Sequence, residues 1–466
     1  MFQRRIHRGK FPAGLTLNLE GLPTMSPEEV LAVVNAAVDV SMEAYYWWCT
    51  AIMVAIHAGF MMYEMGVSRV RNVLASGVKN ILAFAFMIPT FFLFGWWLYW
   101  AYATGNIFIP DASAEFAQYY VPWSEGMGPN LQDGASGIFW AAFTLFAATT
   151  ASIVSGSLIE RIRMGAWIIL AVLVGSVVWI IGAGWGWSTG GWLVVDWGYH
   201  DVGAAGVVHM ISGFFALGVL INLGPRIGRF NADGSSNELR GHNAPLTIAG
   251  LMIIIIGFFG FLGGCLIYPA AMAGTSADLG WITIYGTPSN LSSFAFNTLM
   301  GFAGGIIGAY TITKDPFWMM SGALGGIFCA ASGLDLWYPG TAFALGFLGG
   351  VVIPYSHKLI TSWGIDDAVG AVSVHGTCGI IGVMSVGILL GGYPPPAEGV
   401  PPISFTGQLV GCISMFLMGF IPGYVGSWIL KKCGILRVSD KLQDFGLDNA
   451  EIDTPAYPEP LQTAGK

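Results

Sequence analysis

Apolar runs long enough to cross a hydrocarbon core of roughly 30 Å recur eleven times along the chain, and this repetition limits the fold more than any other feature. They cover residues 44–65, 81–102, 137–159, 164–187, 201–223, 246–269, 291–312, 316–333, 341–359, 367–390 and 405–430. With 55% of its 466 residues hydrophobic and only 10% charged, the chain is outside the soluble class. The expected fold is an all-α polytopic membrane protein with eleven transmembrane helices.

The charges test that count. Short cytoplasmic loops concentrate lysine and arginine, and the connections after the odd-numbered runs do so. Arg69, Arg71 and Lys79 follow the first; Arg161 and Arg163 the third; Arg226, Arg229 and Arg240 the fifth; Lys314 the seventh; Lys358 the ninth; Lys431, Lys432, Arg437 and Lys441 the last. Connections after the even-numbered runs hold Asp111, Glu115, Glu125, Asp133, Asp196, Asp278, Asp335 and Glu398 and no lysine or arginine, so the outer face attracts cations. This sorting places the N-terminus outside and the C-terminus in the cytoplasm of a multi-pass protein of the plasma or inner membrane. Residues 1–43, with Pro12, Pro23 and Pro27 as breakers and a weakly amphipathic stretch over 27–40, are expected to form an extracytoplasmic tail. Residues 44–432 form the membrane domain, and 433–466 a cytoplasmic tail.

Several functions are set aside. A net charge of -8 with scattered basic residues gives nucleic acid no patch to bind. Cys265, Cys329, Cys378 and Cys412 lie inside apolar runs without metal-ligand spacing, so neither a disulfide framework nor a metal site is expected. The N-terminal stretch has no cationic segment leading into a short apolar run and cleavage site, and its Arg4, Arg5, Arg8 and Lys10 are unexplained. No nucleophile with a matching base stands out, so neither enzymatic activity nor a cofactor is expected.

Two stretches carry chemistry. Asp201-Val-Gly-Ala-Ala-Gly-Val-Val-His209 places two ionisable groups in an apolar run, and Asp367-Ala-Val-Gly-Ala-Val-Ser-Val-His375 repeats the spacing, the small-residue filler and the Val-His ending. Falling in the fifth and tenth runs, they divide the membrane domain into two five-helix halves of opposite direction plus an eleventh helix, an inverted-topology repeat. Eight residues at ~1.5 Å each carry each histidine about 12 Å deep, one from either face, so the two imidazoles can meet near the midplane. A polar ring in hydrocarbon costs several kcal/mol unless partnered. A neutral imidazole has one donor and one acceptor, so one ring can bond its twin while the remaining nitrogens face a small hydrogen-bonding solute or relay a proton. Asp201, Asp366 and Asp367 also suit helix capping, and His57 and Glu64 read as structural.

Residues 44–450 resemble the ammonium transporter/Rhesus (Amt/Rh) family, closest to its ammonium transporter branch. The resemblance rests on Asp201 to Met210, on Asp366-Asp367-Ala with Val374-His375-Gly376, and on Glu160-Arg161-Ile162-Arg163. Gly224-Pro225-Arg226-Ile227-Gly228-Arg229-Phe230, Arg240-Gly241-His242-Asn243, Leu436-Arg437-Val438-Ser439 and Gly446-Leu447-Asp448 add to it. It implies a homotrimer in membrane lipid, with ammonium recruited at an outer vestibule and ammonia or ammonium passed through a pore in each protomer. It further implies a twin-histidine pair of His209 and His375, recruitment by Asp201, Trp187, Phe146 and Cys265, and a phenyl gate of Phe146 and Phe261. A PII-type regulator at the cytoplasmic face is implied too. The chain departs from the family pattern at Ala142 and Phe143, where a phenylalanine and a glutamine are usual, and at Phe258, Leu262 and Cys265 in the sixth run. It departs again at Gly370, where an aspartate is usual, and over Asn449 to Thr454 in the tail. A cage lacking one aromatic wall and holding a thiol in place of a hydroxyl is expected to bind ammonium weakly.

The leading function is an ammonium transporter or channel. An ammonium sensor of the same fold with little transport is the alternative, and a membrane redox protein with His209 and His375 as haem ligands is a third reading.

Overall fold

The computed structural model describes residues 26–108, 121–127, 134–267, 281–393 and 400–457. Among these, ten helices are long and apolar enough to cross a membrane: α1 (Pro27–Val67), α2 (Val70–Ala101), α3 (Gly137–Ser157), α4 (Met164–Gly186), α5 (Ala205–Leu223), α6 (Ala244–Gly264), α7 (Leu291–Ile312), α9 (Pro339–Ser362), α10 (Val372–Leu389) and α11 (Phe405–Lys432). The eighth run forms a shorter apolar helix, α8 (Pro316–Ala331), of 16 residues. At ~1.5 Å per residue α8 is about 24 Å long. Asp315 caps its start through Phe317 N, and Pro316 occupies the first turn, where its missing N–H costs nothing. The protein is a multi-pass helical membrane protein.

The expected boundary between N-terminal tail and membrane domain at residue 43 falls inside a helix. Residues 27–43 continue α1, a single helix of 41 residues. Its start is a capping box: Ser26 Oγ accepts from Glu29 N at 3.2 Å and Ser26 N donates to Glu29 Oε2 at 2.7 Å. The Ser-Pro-Glu-Glu signature was in the sequence, but the weak amphipathicity beside it masked the helix. Arg4, Arg5, Arg8 and Lys10, and of the expected outer acidic residues Asp111, Glu115, Asp133, Asp278 and Glu398, lie outside the described residues.

The halves interlock through equivalent helices. α1 packs along α6, and α5 against α10. The α1–α6 approach needs glycine: a Cβ on Gly59 would sit 2.7 Å from Gly250 O. Small residues let helix backbones meet this closely in lipid.

The repeat extends below the level of helices. Asp201 Oδ2 accepts from Gly206 N and Val207 N, both at 2.9 Å. A separation of 166 residues later, Asp367 accepts from Gly370 N at 3.0 Å and Val372 N at 2.8 Å. Each aspartate is followed by one left-handed residue, Ala204 (φ 66) or its counterpart Gly370 (φ 74), and then by a π-helical turn, Ala205–Met210 or Val372–Thr377. π turns are rare and concentrate at functional sites. Glycine at 370, a departure from the family pattern, therefore meets a backbone requirement that Ala204 meets under strain. A Cβ at Gly370 would also lie 3.1 Å from the Trp318 ring. Gly370→Ala is expected to destabilise by about 1–2 kcal/mol, whereas Ala204→Gly, which relaxes the same conformation, should change the thermal midpoint little. Thermal unfolding of the two purified variants checks this.

The basic loops gather at one end of the bundle. Arg69 pairs with Glu160 at 2.5 Å. The Asp366 carboxylate accepts from Arg226 Nε and Nη2 at 2.9 Å each and has Arg229 Nε 3.3 Å away, and its backbone oxygen accepts from Arg161 Nη2 at 2.5 Å. The C-terminal segment lies across these loops and satisfies helix ends that lack caps of their own. Asp448 Oδ1 accepts from Ala75 N at 2.8 Å in the first half of α2, Glu451 accepts from Met164 N at 3.2 Å at the start of α4, and Arg437 Nη1 donates to Leu223 O at 3.1 Å at the end of α5.

Candidate functional site

At the opposite end of the bundle from the arginines, a cavity of about 200 Å³ is lined by Trp96, Tyr99, Trp100, Phe139, Phe143, Trp187, Ser188, Thr189, Gly264, Cys265, Ile267 and Ile284. Trp96, Tyr99 and Trp100 come from α2, where spacings of three and four put them on one helical face. Tyr99 OH donates to Trp187 O at 2.5 Å, and Trp187 Nε1 donates to Asp201 O at 2.8 Å, so the aromatic wall hangs from the start of α5.

The expectation that the entrance has lost an aromatic wall does not survive. Aromatic rings from α2, α3 and the end of α4 surround the space, and Phe143 lines it. Ala142 is buried at 1% exposure and is not among the lining residues. Cys265 does line the cavity, with its thiol donating to Phe261 O at 3.3 Å, and the nearby hydroxyls come from Ser188 and Thr189. Ala142→Phe is therefore expected to overpack the α3 interface, costing about 1–3 kcal/mol, without strengthening ammonium binding. Cys265→Ser alone, adding one better acceptor, should lower the half-saturating ammonium concentration roughly two- to tenfold. Titration of transport currents with ammonium separates the two.

Asp201 is not in the cavity. Its carboxylate is fully buried and, besides the two backbone donors, accepts from Ser332 Oγ at 2.6 Å and Tyr199 OH at 3.1 Å. It reaches the cavity only through the Trp187 bond to its carbonyl. The cap reading of this residue is the one its bonds support.

Below the cavity the rings form a column. Phe146 meets Trp187 edge-on at 5.2 Å and Phe261 at 4.4 Å and 74°, and both phenylalanines are fully buried. Phe261 lies 5.9 Å from the His209 ring. His209 Nδ1 is 3.1 Å from His375 Nδ1, so one ring donates and the other accepts. That direct bond leaves no room for a haem iron between the two nitrogens. Phe328, which sequence reasoning missed, stacks on His209 at 3.6 Å and lies tilted against His375 at 4.7 Å. His209 Nε2 has no protein partner among the described residues, and a second, small cavity lined by His375, Tyr63, Ser321 and Val369 opens beneath. The spaces and rings thus run in order from the aromatic cavity to the basic end.

His57 and Glu64 are buried against polar neighbours. His57 Nδ1 lies 3.4 Å from Ser152 Oγ; Glu64 bonds Ser155 Oγ and sits 3.8 Å from Lys79 Nζ. Burial pushes the Asp366 carboxyl upward, but Arg161 and Arg226 outweigh it and hold the group well below the usual carboxylate range. Burial draws Arg161 down to about 10.

The profile of the Ammonium Transporter Family matches residues 44–457. This chain belongs to that family. It is 32% identical over 411 residues to "Ammonium transporter Amt2" of Methanocaldococcus jannaschii, covering 86% of this chain and 87% of that protein. To "Ammonium transporter Amt1" of the same organism it is 30% identical over 417 residues, covering 89% and 96%. Among solved structures, one described as "Sensor Amt Protein" superposes with a TM-score of 0.73 at 25% identity, over 88% of this chain and 98% of that one. The ammonium transporter signatures at the starts of α5 and α10 are thus matched by likeness over most of the chain.

Proposed function

We propose that this chain is an ammonium/ammonia transporter or channel. Ammonium is recruited from the outside into the aromatic cavity, held there by cation–π attraction to Trp96, Tyr99, Trp100, Phe143 and Trp187 and by the hydroxyls and thiol beside them. It passes the Phe146–Phe261 gate and is handed along the histidine pair. The observation that carries this reading is the 3.1 Å His209–His375 bond, buried between two cavities. A neutral pair hydrogen-bonds a small amine on its free nitrogens and passes a proton between the rings, which an apolar lining cannot do. The basic end then faces the cytoplasm, following the charge rule for short loops, and α1 starts outside. The assembly is a homotrimer in the plasma or inner membrane, as in the family it belongs to, with the loop-and-tail surface at the basic end available to a PII-type regulator. The transporters it resembles are not named as enzymes, and no reaction is assigned.

Protein reconstituted in vesicles on a supported membrane should give a transient current on an ammonium jump. His209→Ala and His375→Ala are expected to keep the oligomer intact by size-exclusion chromatography and to lower the rate on the order of 100-fold, or to relax selectivity against potassium. Wild-type currents with unchanged selectivity from both variants would remove the relay. Saturable ammonium binding without any current in the unmodified protein would favour a sensor.

A further inference from the structure

His200 precedes the α5 aspartate, and its Nε2 lies 3.0 Å from Asp335 Oδ1, four residues beyond the end of α8. Applying the 166-residue repeat to His200 gives Asp366, which precedes the α10 aspartate. Arg161, four residues beyond the end of α3, the helix equivalent to α8, donates from Nη2 to the Asp366 backbone oxygen at 2.5 Å and stands 3.9 Å from its carboxylate. Each half therefore ties the irregular start of its histidine-bearing helix to the third helix of the other half, with the aspartate on the α8 side at one end and on the α10 side at the other.

The outer tie is buried, as the inner one is. His200 and Asp335 side chains are 5% and 0% exposed. The His200 backbone is clamped by Gln408 of α11, which accepts from His200 N at 2.8 Å and donates to His200 O at 2.7 Å. Tyr285 covers the imidazole at 4.4 Å between ring centres. Asp335 Oδ2 is buried without a hydrogen-bond partner among the described residues, so the His200 bond is the one that orients this carboxylate. Beside it, Val202 N donates to Ser332 O at 3.1 Å and Gly203 N to Ala331 O at 3.0 Å, carrying the junction into the left-handed Ala204 and the π turn that bears His209.

We propose that His200 and Asp335 are positioning residues for the pore: the outer of two symmetry-related cross-ties that fix the π turns carrying His209 and His375. Neither residue lines the aromatic cavity, so the tie sets how fast the histidine pair works and leaves cation capture alone. This rests on the transport reading only where a current is measured.

The test uses the full-length protein in vesicles and a cryo-EM map of each variant. Asp335→Leu removes the acceptor at similar volume, His200→Phe keeps the ring on Tyr285 and removes the donor, and Asp335→Asn keeps an acceptor. Leu and Phe are expected to lower maximal current roughly tenfold, since a small misplacement of reacting groups is enough, with half-saturation unchanged, and to displace His209 in the map. Asn should restore both. If Asp335→Leu does not purify as a single species, His200→Phe decides. Wild-type maximal current in His200→Phe, a change in half-saturation alone, or a map with His209 unmoved overturns the proposal. Should the unmodified protein carry no ammonium current, the transport reading fails and the His209 position in the maps still judges the tie.

Discussion

Asp366→Ala is expected to destabilise the protein by about 3–5 kcal/mol, the cost of removing one partner from a buried ion cluster. The side chains of Arg161 and Arg226 are 0% and 5% exposed; Arg226 bonds the Asp366 carboxylate at 2.9 Å, and Arg161 and Arg229 stand 3.9 Å and 3.3 Å from it. Without the carboxylate these guanidiniums are buried together and uncompensated. Because Arg161 also donates to Gly224 O at 2.8 Å, and the adjoining Ile162 pairs with Arg437, the damage should spread to the tail. Thermal unfolding in detergent, with hydrogen exchange of residues 436–452, reads both effects. Asp366→Asn, which keeps acceptors but not charge, should fall between. The carboxyl lies below its ordinary value, so its contribution is complete above about pH 4 and fades only as the pH falls further, through the folded-state value. A midpoint for Asp366→Ala equal to that of the unmodified protein at pH 7 would show that the arginines find other partners.

Asp201→Ala should be comparably severe, for a different reason. Four donors converge on that carboxylate: two N–H groups of the π turn, the Ser332 hydroxyl and the Tyr199 phenol. Each buried donor left unmet costs about 1–3 kcal/mol, and the turn carrying His209 loses its cap. The folded yield should drop several-fold and the remaining protein should transport poorly. Asp201→Asn keeps an acceptor oxygen for the turn and removes the charge. If capping is the role, Asn should restore most of the folded yield and much of the current. An Asn variant that folds as the unmodified protein does yet carries no current would instead show that the negative charge itself draws the cation.

How much was legible follows the range of each interaction. The eleven apolar runs, the arginines that gather at one end and the two Asp-to-His segments are written in residue order, because spanning a bilayer and capping a helix are satisfied within a few residues. The inverted repeat follows from the same spacing, and with it the meeting of His209 and His375. The first helix was legible in principle, since Ser26 and Glu29 form a standard start signal, but the polar character of the stretch outweighed it.

The walls of the entrance come from separate helices. Trp96, Tyr99 and Trp100 stand on α2 about ninety residues from Trp187, and only packing reveals that they replace what Ala142 cannot supply. Asp201 suits a helix cap on sequence alone and a recruiting role by family resemblance, whereas the four donors that claim its carboxylate are set by the folded chain. Residue order alone is enough for the series of apolar helices, the two halves and the paired histidines, since each needs only periodicity and one repeated motif. Tertiary structure alone decided which side chains line the cavity, where the buried charges are neutralised, and that His200 and Asp335, 135 residues apart, meet across the halves. Such contacts depend on how two helices are rotated against each other, and hydropathy averaged along one chain carries no record of that rotation.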